Sequence, residues 1–90
     1  MLNFKANVFV NLRPSVLDPA GEATKSAASK LGIDGLKKLR IGKVIEIELE
    51  ATNEDEARNR IEALSDRLLA NSVIEDWKIE LTSLSQGQEL

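Results

Sequence analysis

The chain has 90 residues, of which 42% are hydrophobic and 30% are charged, and its formal net charge is -3. This length fits one domain, and no apolar run approaches the ~20 residues needed to cross a bilayer. Cysteine and histidine are both absent, which excludes disulfides, thiolate catalysis and zinc–thiolate sites and removes the commonest general base. The composition therefore argues against a self-contained hydrolase.

The N-terminal segment predicts a strand with one buried face, because apolar and polar residues alternate from Phe4 to Leu12. Its inward positions are Phe4, Ala6, Val8, Val10 and Leu12. Phe9 interrupts the polar side, either as an ordinary surface aromatic or as a residue covered by a neighbouring subunit. Because the chain enters this pattern directly, without the basic and apolar regions of a secretory signal, we expect a cytoplasmic location.

The segment Val16–Gly21 predicts a sharp turn from this strand into a helix. Asp18 can cap the free amides of a starting helix, and Pro19 suits the first helical position. Gly21 leaves room for a backbone from the sheet or from another molecule to approach closely. The helix is predicted over Pro19–Leu31 and ends at Gly32. The positions expected to pack against the sheet are Ala20, Ala23, Ala27 and Leu31.

In residues 36–51, apolar and charged side chains alternate along the chain without a change of phase. The apolar side chains at odd positions are Leu39, Ile41, Ile45, Ile47, Leu49 and Ala51, and the charged ones at even positions are Lys38, Arg40, Glu46, Glu48 and Glu50. One strand of this length would span ~50 Å at about 3.3 Å per residue, which is too long for a compact monomer. We therefore expect a break at Gly42-Lys43.

This alternation favours an antiparallel pairing of the two halves of the segment, with Lys43 at its centre. Ile41 then lies opposite Ile45, and Leu39 lies opposite Ile47. On the other face, Arg40 meets Glu46 and Lys38 meets Glu48, and such opposite-charge pairs contribute roughly 0.2–1 kcal/mol each. Two structures satisfy this register. One is a hairpin with the loop Gly42-Lys43-Val44, and the other is a continuous bent strand paired with its copy in a second chain across a two-fold axis.

The remaining pattern predicts a second helix and a last strand. Asn53 or Thr52 can cap the helix, and Glu56 can reach back to complete a capping box. Its inward stripe is Ala57, Ile61, Leu64 and Leu68. The last strand runs from Val73 to Ser83, with Trp77, Ile79 and Leu81 facing inward.

The predicted fold is α+β, with the order β-α-β(β)-α-β and two helices on one face of an antiparallel sheet. This is a ferredoxin-like arrangement or its strand-exchanged dimeric variant. Residues 1–84 form the domain, and residues 85–90 form a polar tail. No internal repeat or interdomain linker is visible.

Three charged groups could bind a ligand, and each has a simpler interpretation. Lys37, Lys38, Arg40 and Lys43 could receive a phosphate, but alternation already explains Lys38 and Arg40. Glu46, Glu48 and Glu50 resemble a metal cluster, but a hard cation normally needs ligands from several segments. Asp18 would repel an anion at the helix start, so capping is favoured. The net negative charge and the three aromatic residues argue against nucleic-acid binding.

The chain resembles the PurS family, the small subunit of multi-subunit phosphoribosylformylglycinamidine synthase. The resemblance is carried by Val16-Leu17-Asp18-Pro19-x-Gly21 after the first strand, by Leu31-Gly32, and by Leu39-Arg40-Ile41-Gly42-Lys43. It covers most of the chain. Two departures are mild: Ala20 stands where many members carry glutamine, and Arg13-Pro14 where lysine is common.

The resemblance implies a subunit that is not catalytic alone and binds no cofactor itself. It would bridge a synthetase subunit and a glutaminase subunit in purine biosynthesis and aid ammonia transfer, while the complex uses ATP and Mg. The implied partner-contact candidates are Asp18, Pro19, Gly21, Arg40, Gly42 and Lys43. The candidates for self-association into a homodimer or larger oligomer are Phe9, Lys38, Arg40, Ile41, Ile45, Glu46 and Glu48. A regulatory module that binds small ligands is the alternative, on fold analogy alone.

Overall fold

The computed structural model describes residues 1–84. Three strands and two helices follow in the order β1 (Leu2–Leu12), α1 (Pro19–Lys30), β2 (Lys43–Ala51), α2 (Glu54–Leu64) and β3 (Glu75–Leu84). A π-helical turn, Ser65–Leu69, continues α2. The strands form one antiparallel sheet in the order β2-β1-β3. The predicted α+β class is confirmed, and the predicted polar tail, residues 85–90, lies outside the described residues.

The sheet has one apolar face, as the alternation predicts. On the central strand β1, Val8 lies between Ile45 of β2 and Ile79 of β3. Ala6 lies in the same way between Ile47 and Leu81. Four β1 side chains on this face, Phe4, Ala6, Val8 and Val10, are buried, whereas the apolar residues opposite them on β2 and β3 are only partly buried. We call this the core face and the opposite side of the sheet the open face.

Helix α2 covers the middle of the core face. Asn53 caps it, because its Oδ1 accepts the backbone N–H of Glu56 at 2.8 Å, as predicted. Ala57 and Ile61 are buried against the sheet. This burial makes α2 the helix that closes the core of the single chain.

The predicted inward stripe of α2 is wrong at Leu68. The π-helical turn inserts one residue into the helical phase, so Leu69 is turned onto the core and Leu68 is 74% exposed. Within the turn, the buried Ser65 hydroxyl donates to the carbonyl of Ile61 at 2.7 Å. No sequence pattern had indicated this change of phase.

Helix α1 stands away from the core, against expectation. Ala20, Ala23, Ala27 and Leu31 are exposed, and Gly21 is its one fully buried residue. The interpretation of these alanines as core positions is therefore wrong for the single chain. The helix instead lies along residues 33–42, which have no regular secondary structure. We call residues 33–42 the return segment, and residues 19–42, which add α1 to it, the arm.

Of the two structures left open at Gly42-Lys43, the hairpin does not form. β2 begins at Lys43 and pairs with β1, and the return segment does not fold back on β2. Within residues 1–84 the outer edge of β2 thus carries no strand. The radius of gyration is 17.0 Å, compared with about 12 Å expected for a compact chain of this length. The arm is the reason for this extended shape.

Candidate functional site

The partner-contact candidates meet at one end of the sheet, where β1 ends and β2 and β3 begin. Asp18 is only 4% exposed there. Its Oδ1 accepts the backbone N–H of Gly21 at 3.0 Å and so caps α1, as predicted. Its Oδ2 accepts the backbone N–H of Ile41 at 2.8 Å. One carboxylate therefore joins the start of the arm to its end, and we call this region the joint.

Two arginines brace the joint. The Nη2 atom of Arg40 donates to the carbonyls of Arg13 and Val16, at 2.9 and 2.8 Å. Arg13 donates from Nε to a carboxylate oxygen of Asp76 at 3.2 Å and from Nη2 to the carbonyl of Ser72. Sequence reasoning missed the bracing role of Arg13, because nothing local marks a side chain whose partners lie about 60 positions later.

Two glycines allow the backbones at the joint to approach one another. A Cβ on Gly21 would lie 2.5 Å from the carbonyl oxygen of Leu39. A Cβ on Gly42 would lie 2.8 Å from the carbonyl oxygen of Val10 and would overlap Asn11. Real Cβ atoms do not come this close to a backbone oxygen. The predicted close approach at Gly21 is confirmed, but the backbone that approaches belongs to the return segment and not to the sheet.

The electrostatics of the joint favour an ionised Asp18. The backbone N–H of Ile41 lowers the pKa of this carboxyl most, that of Gly21 lowers it further, and Arg40 adds a smaller effect in the same direction. Because both carboxylate oxygens already accept hydrogen bonds within the chain, Asp18 organises the joint. Its chemistry is that of a cap and a clamp, as the capping interpretation predicted.

The self-association candidates lie in several different places. Ile41 lies at the joint and is 44% exposed, and Ile45 is partly buried on the core face. Phe9, Glu46 and Glu48 lie on the open face, where Phe9 is opposite Val44. Lys38 is exposed on the return segment. The structure thus does not bring these residues together within one chain.

The open face is mostly polar and carries a buried amide oxygen without a hydrogen-bond partner. Asn7 lies between Glu46 and Glu80 on the neighbouring strands, and its buried Oδ1 has no hydrogen-bond partner among residues 1–84. Within the same residues, no three metal-ligating side chains converge. Glu46, Glu48 and Glu50 instead follow one another along one edge strand. No helix in the described part of the chain is long and apolar enough to span a membrane.

Comparisons with known proteins agree with one another. Residues 5–83 match the model of the PurS family, described as phosphoribosylformylglycinamidine (FGAM) synthase. The chain is 48% identical over 82 residues to the phosphoribosylformylglycinamidine synthase subunit PurS of Synechocystis. The aligned region covers 91% of this chain and 82% of that protein.

Solved structures give the same answer. The fold is similar to that of a chain in the structure of PurLQS from Thermotoga maritima, with a TM-score of 0.84 and 33% identity over 93% of this chain and 100% of that one. It is also similar to Methanocaldococcus jannaschii PurS, one of the subunits of formylglycinamide ribonucleotide amidotransferase. That TM-score is 0.81, with 32% identity over 91% of this chain and 99% of that one.

Proposed function

Because this chain belongs to the PurS family, we propose that it is the small subunit of phosphoribosylformylglycinamidine synthase in purine biosynthesis and acts by assembling the complex. The observation that carries the proposal is the match over residues 5–83, together with the likeness to a chain of a PurLQS complex. In this role the chain bridges the synthetase and glutaminase subunits and aids ammonia transfer between them. The complex uses ATP and Mg, and the residues of this chain contribute contact surfaces.

The joint supports the proposal by its division into buried and exposed residues. Asp18 and Gly21 are buried, so they shape the surface without touching a partner. Pro19, Gly42 and Lys43 are exposed around them. Leu17 is 73% exposed beside Pro19, and such an apolar side chain fits a protein contact. We therefore assign the partner contact to these exposed residues and the positioning to Asp18, Gly21 and Arg40.

Self-association belongs to the same proposal. Within the described residues 1–84, the outer edge of β2 has no neighbouring strand, and the return segment alternates apolar and charged residues as this register requires. Pairing about Lys43 would place Ile41 of one copy against Ile45 of the other, with Lys38 against Glu48. Phe9 and Glu46 lie on the open face of the sheet that this pairing extends.

The test is reconstitution. The purified synthetase and glutaminase subunits are assayed for glutamine-dependent formation of formylglycinamidine ribonucleotide with and without this chain. We expect activity to depend on the chain and the variant Leu17→Asp to reduce it. Glu62→Lys, on the exposed side of α2, is the matched control and should support full activity. Equal activity without the chain would overturn the proposal.

A further inference from the structure

Arg13 fastens the chain between β1 and α1 to the start of β3. Its backbone N–H donates to the carbonyl of Ile74 at 2.8 Å. Its side chain donates from Nε to Oδ1 of Asp76 at 3.2 Å and from Nη2 to the carbonyl of Ser72. These two acceptors lie on either side of Ile74 in the sequence, so the guanidinium spans the residues that lead into β3.

The segment to which Arg13 is fastened is itself held by hydrogen bonds. The backbone N–H of Asn71 donates to Oε1 of Glu75 at 2.7 Å, and Oδ1 of Asn71 accepts the N–H of Val73 at 3.0 Å. The carbonyl of Asn71 accepts the N–H groups of Ile74 and Glu75, at 3.1 and 2.8 Å. Arg13 therefore binds to a loop whose own conformation is fixed.

On its other side, Arg13 holds the segment that carries Leu17. The carbonyl of Arg13 accepts the N–H of Val16 at 2.9 Å, which closes a turn with Pro14 at the second position, where proline is favoured. The same carbonyl accepts Nη2 of Arg40 at 2.9 Å. Leu17 follows this turn directly and is 73% exposed. One residue thus ties the turn before Leu17 to β3.

Global stability does not explain this arrangement. The side chains of Arg13 and Asp76 are 44% and 66% exposed, and exposed ion pairs contribute little to folding. The arrangement does depend on arginine, because its planar guanidinium directs two donors to two acceptors at once, whereas a lysine ammonium is a point charge. Members of the family commonly carry lysine at this position, so the two-sided contact follows from a departure in this chain.

We propose that Arg13 is a positioning residue, which holds Leu17 in place against β3 before a partner subunit arrives. This inference deepens the proposed function and rests on it, because the proposed function assigns Leu17 to the partner contact. A contact that is already ordered loses less conformational entropy on binding. Loss of the Arg13 side chain should therefore weaken assembly of the complex and leave the reaction of the assembled complex unchanged.

The test is a titration of this chain into the purified synthetase and glutaminase subunits. Two quantities are recorded: the concentration of the chain that gives half-maximal activity, and the activity at saturation. Arg13→Gln should raise the half-maximal concentration about tenfold and leave the saturating activity at the native value. Arg13→Lys should lie between the two, because it keeps the charge and loses the fork. Lys78→Gln, which removes an exposed cation of β3, is the matched control and should behave as the native chain.

A double variant shows whether Arg13 acts through Leu17. If it does, Arg13→Gln combined with Leu17→Ala should assemble no more weakly than Leu17→Ala alone, since coupled residues are not additive. Additive losses would overturn the inference, because Arg13 would then act independently of Leu17. Urea unfolding of each variant completes the test: a loss of stability without a shift of the half-maximal concentration would reduce Arg13 to a structural role.

Failure of this inference differs from failure of the proposed function. If the native chain supports activity and Arg13→Gln matches it at every concentration, the positioning role alone is rejected. If activity is the same with and without the native chain, the proposed function is rejected, and the positioning role with it.

Discussion

Asp18 and Ile41 are 23 positions apart in the chain, and the Oδ2 atom of Asp18 accepts the backbone N–H of Ile41 at 2.8 Å. The other carboxylate oxygen accepts the N–H of Gly21. This pair of bonds closes the arm at its base, so the direction of α1 and of the return segment depends on one ionised side chain. Arg40 supports the same base from the other side through the carbonyls of Arg13 and Val16.

Replacing Asp18 by asparagine should destabilise the chain at neutral pH. Asparagine offers one acceptor oxygen where two N–H donors arrive, and its amide would face one of them. The pKa of Asp18 is lowered from the ordinary value of 3.8, chiefly by the N–H of Ile41. A lowered pKa stabilises the folded state above the unfolded pKa, and this contribution is lost as pH falls through the folded pKa.

The measurement is the free energy of urea unfolding from neutral pH down through the titration of Asp18. The native chain should lose stability in acid more steeply than Asp18→Asn, which lacks this carboxyl. Asp34→Asn, which removes an exposed carboxyl of the same arm, is the control and should keep the native slope. Identical slopes for the native chain and Asp18→Asn would contradict the clamp.

Gly42→Ala should destabilise the chain by about 1–3 kcal/mol, as overpacking does in tight sites. The new methyl group meets the Asn11 side chain, which can turn away, and the Val10 carbonyl oxygen at 2.8 Å, which cannot. Urea unfolding measures the loss. Adding Asn11→Ala to Gly42→Ala should restore only part of the stability. Complete restoration would show that the backbone at Val10 imposes no limit.

Much of the sheet could be predicted from the sequence because the pattern and the cause coincide there. A strand buried on one face must alternate apolar and polar residues. Val8, Ile45 and Ile79, which this alternation assigns to the buried face of their strands, lie opposite one another in the observed register. The caps at Asp18 and Asn53 were predictable for the same reason, since the capping side chain and the helix start are neighbours in the chain.

The incorrect or missing predictions concern residues whose structure is determined by contacts far away in the chain or outside it. The alanines of α1 show the pattern of a packed helix, but their own sheet does not reach them. The alternation of residues 36–41 is that of a strand, but β2 pairs with β1 and the N–H of Ile41 goes to Asp18. The exposure of Leu68 follows from a π-helical turn that no spacing of apolar residues encodes. The bracing by Arg13 depends on partners in a distant loop.

The π-helical turn predicts unequal roles for two adjacent leucines. Leu69 packs against the core, whereas Leu68 is 74% exposed. Leu69→Ala should therefore cost about 2 kcal/mol or more, and Leu68→Ala should stay within about 0.5 kcal/mol of the native chain. Denaturant unfolding of the two variants, each the control for the other, checks this. A larger loss at Leu68 would mean that α2 continues without a change of phase.

Strand pairing between copies predicts that the strength of dimerisation depends on the charges of Lys38 and Glu48. Arg40 and Glu46 also face each other in this register, but Arg40 is needed for the joint, so its reversal would disturb the fold. Lys38 and Glu48 are both exposed in the single chain. Opposite-charge pairs across strands contribute roughly 0.2–1 kcal/mol each, and like charges destabilise. The two-fold axis places two such pairs in each dimer.

Lys38→Glu should weaken dimerisation by about tenfold, which corresponds to about 1.4 kcal/mol, and Lys38→Glu combined with Glu48→Lys should return it close to the native value. Sedimentation equilibrium measures the dissociation constant of each variant at low and at high salt. The differences should shrink in high salt, because exposed charges are screened. Lys30→Glu, a reversal on the last turn of α1, controls for the loss of positive charge on the arm. If the double variant were weakened as much as Lys38→Glu, the two side chains would not face each other, and the register centred on Lys43 would be wrong.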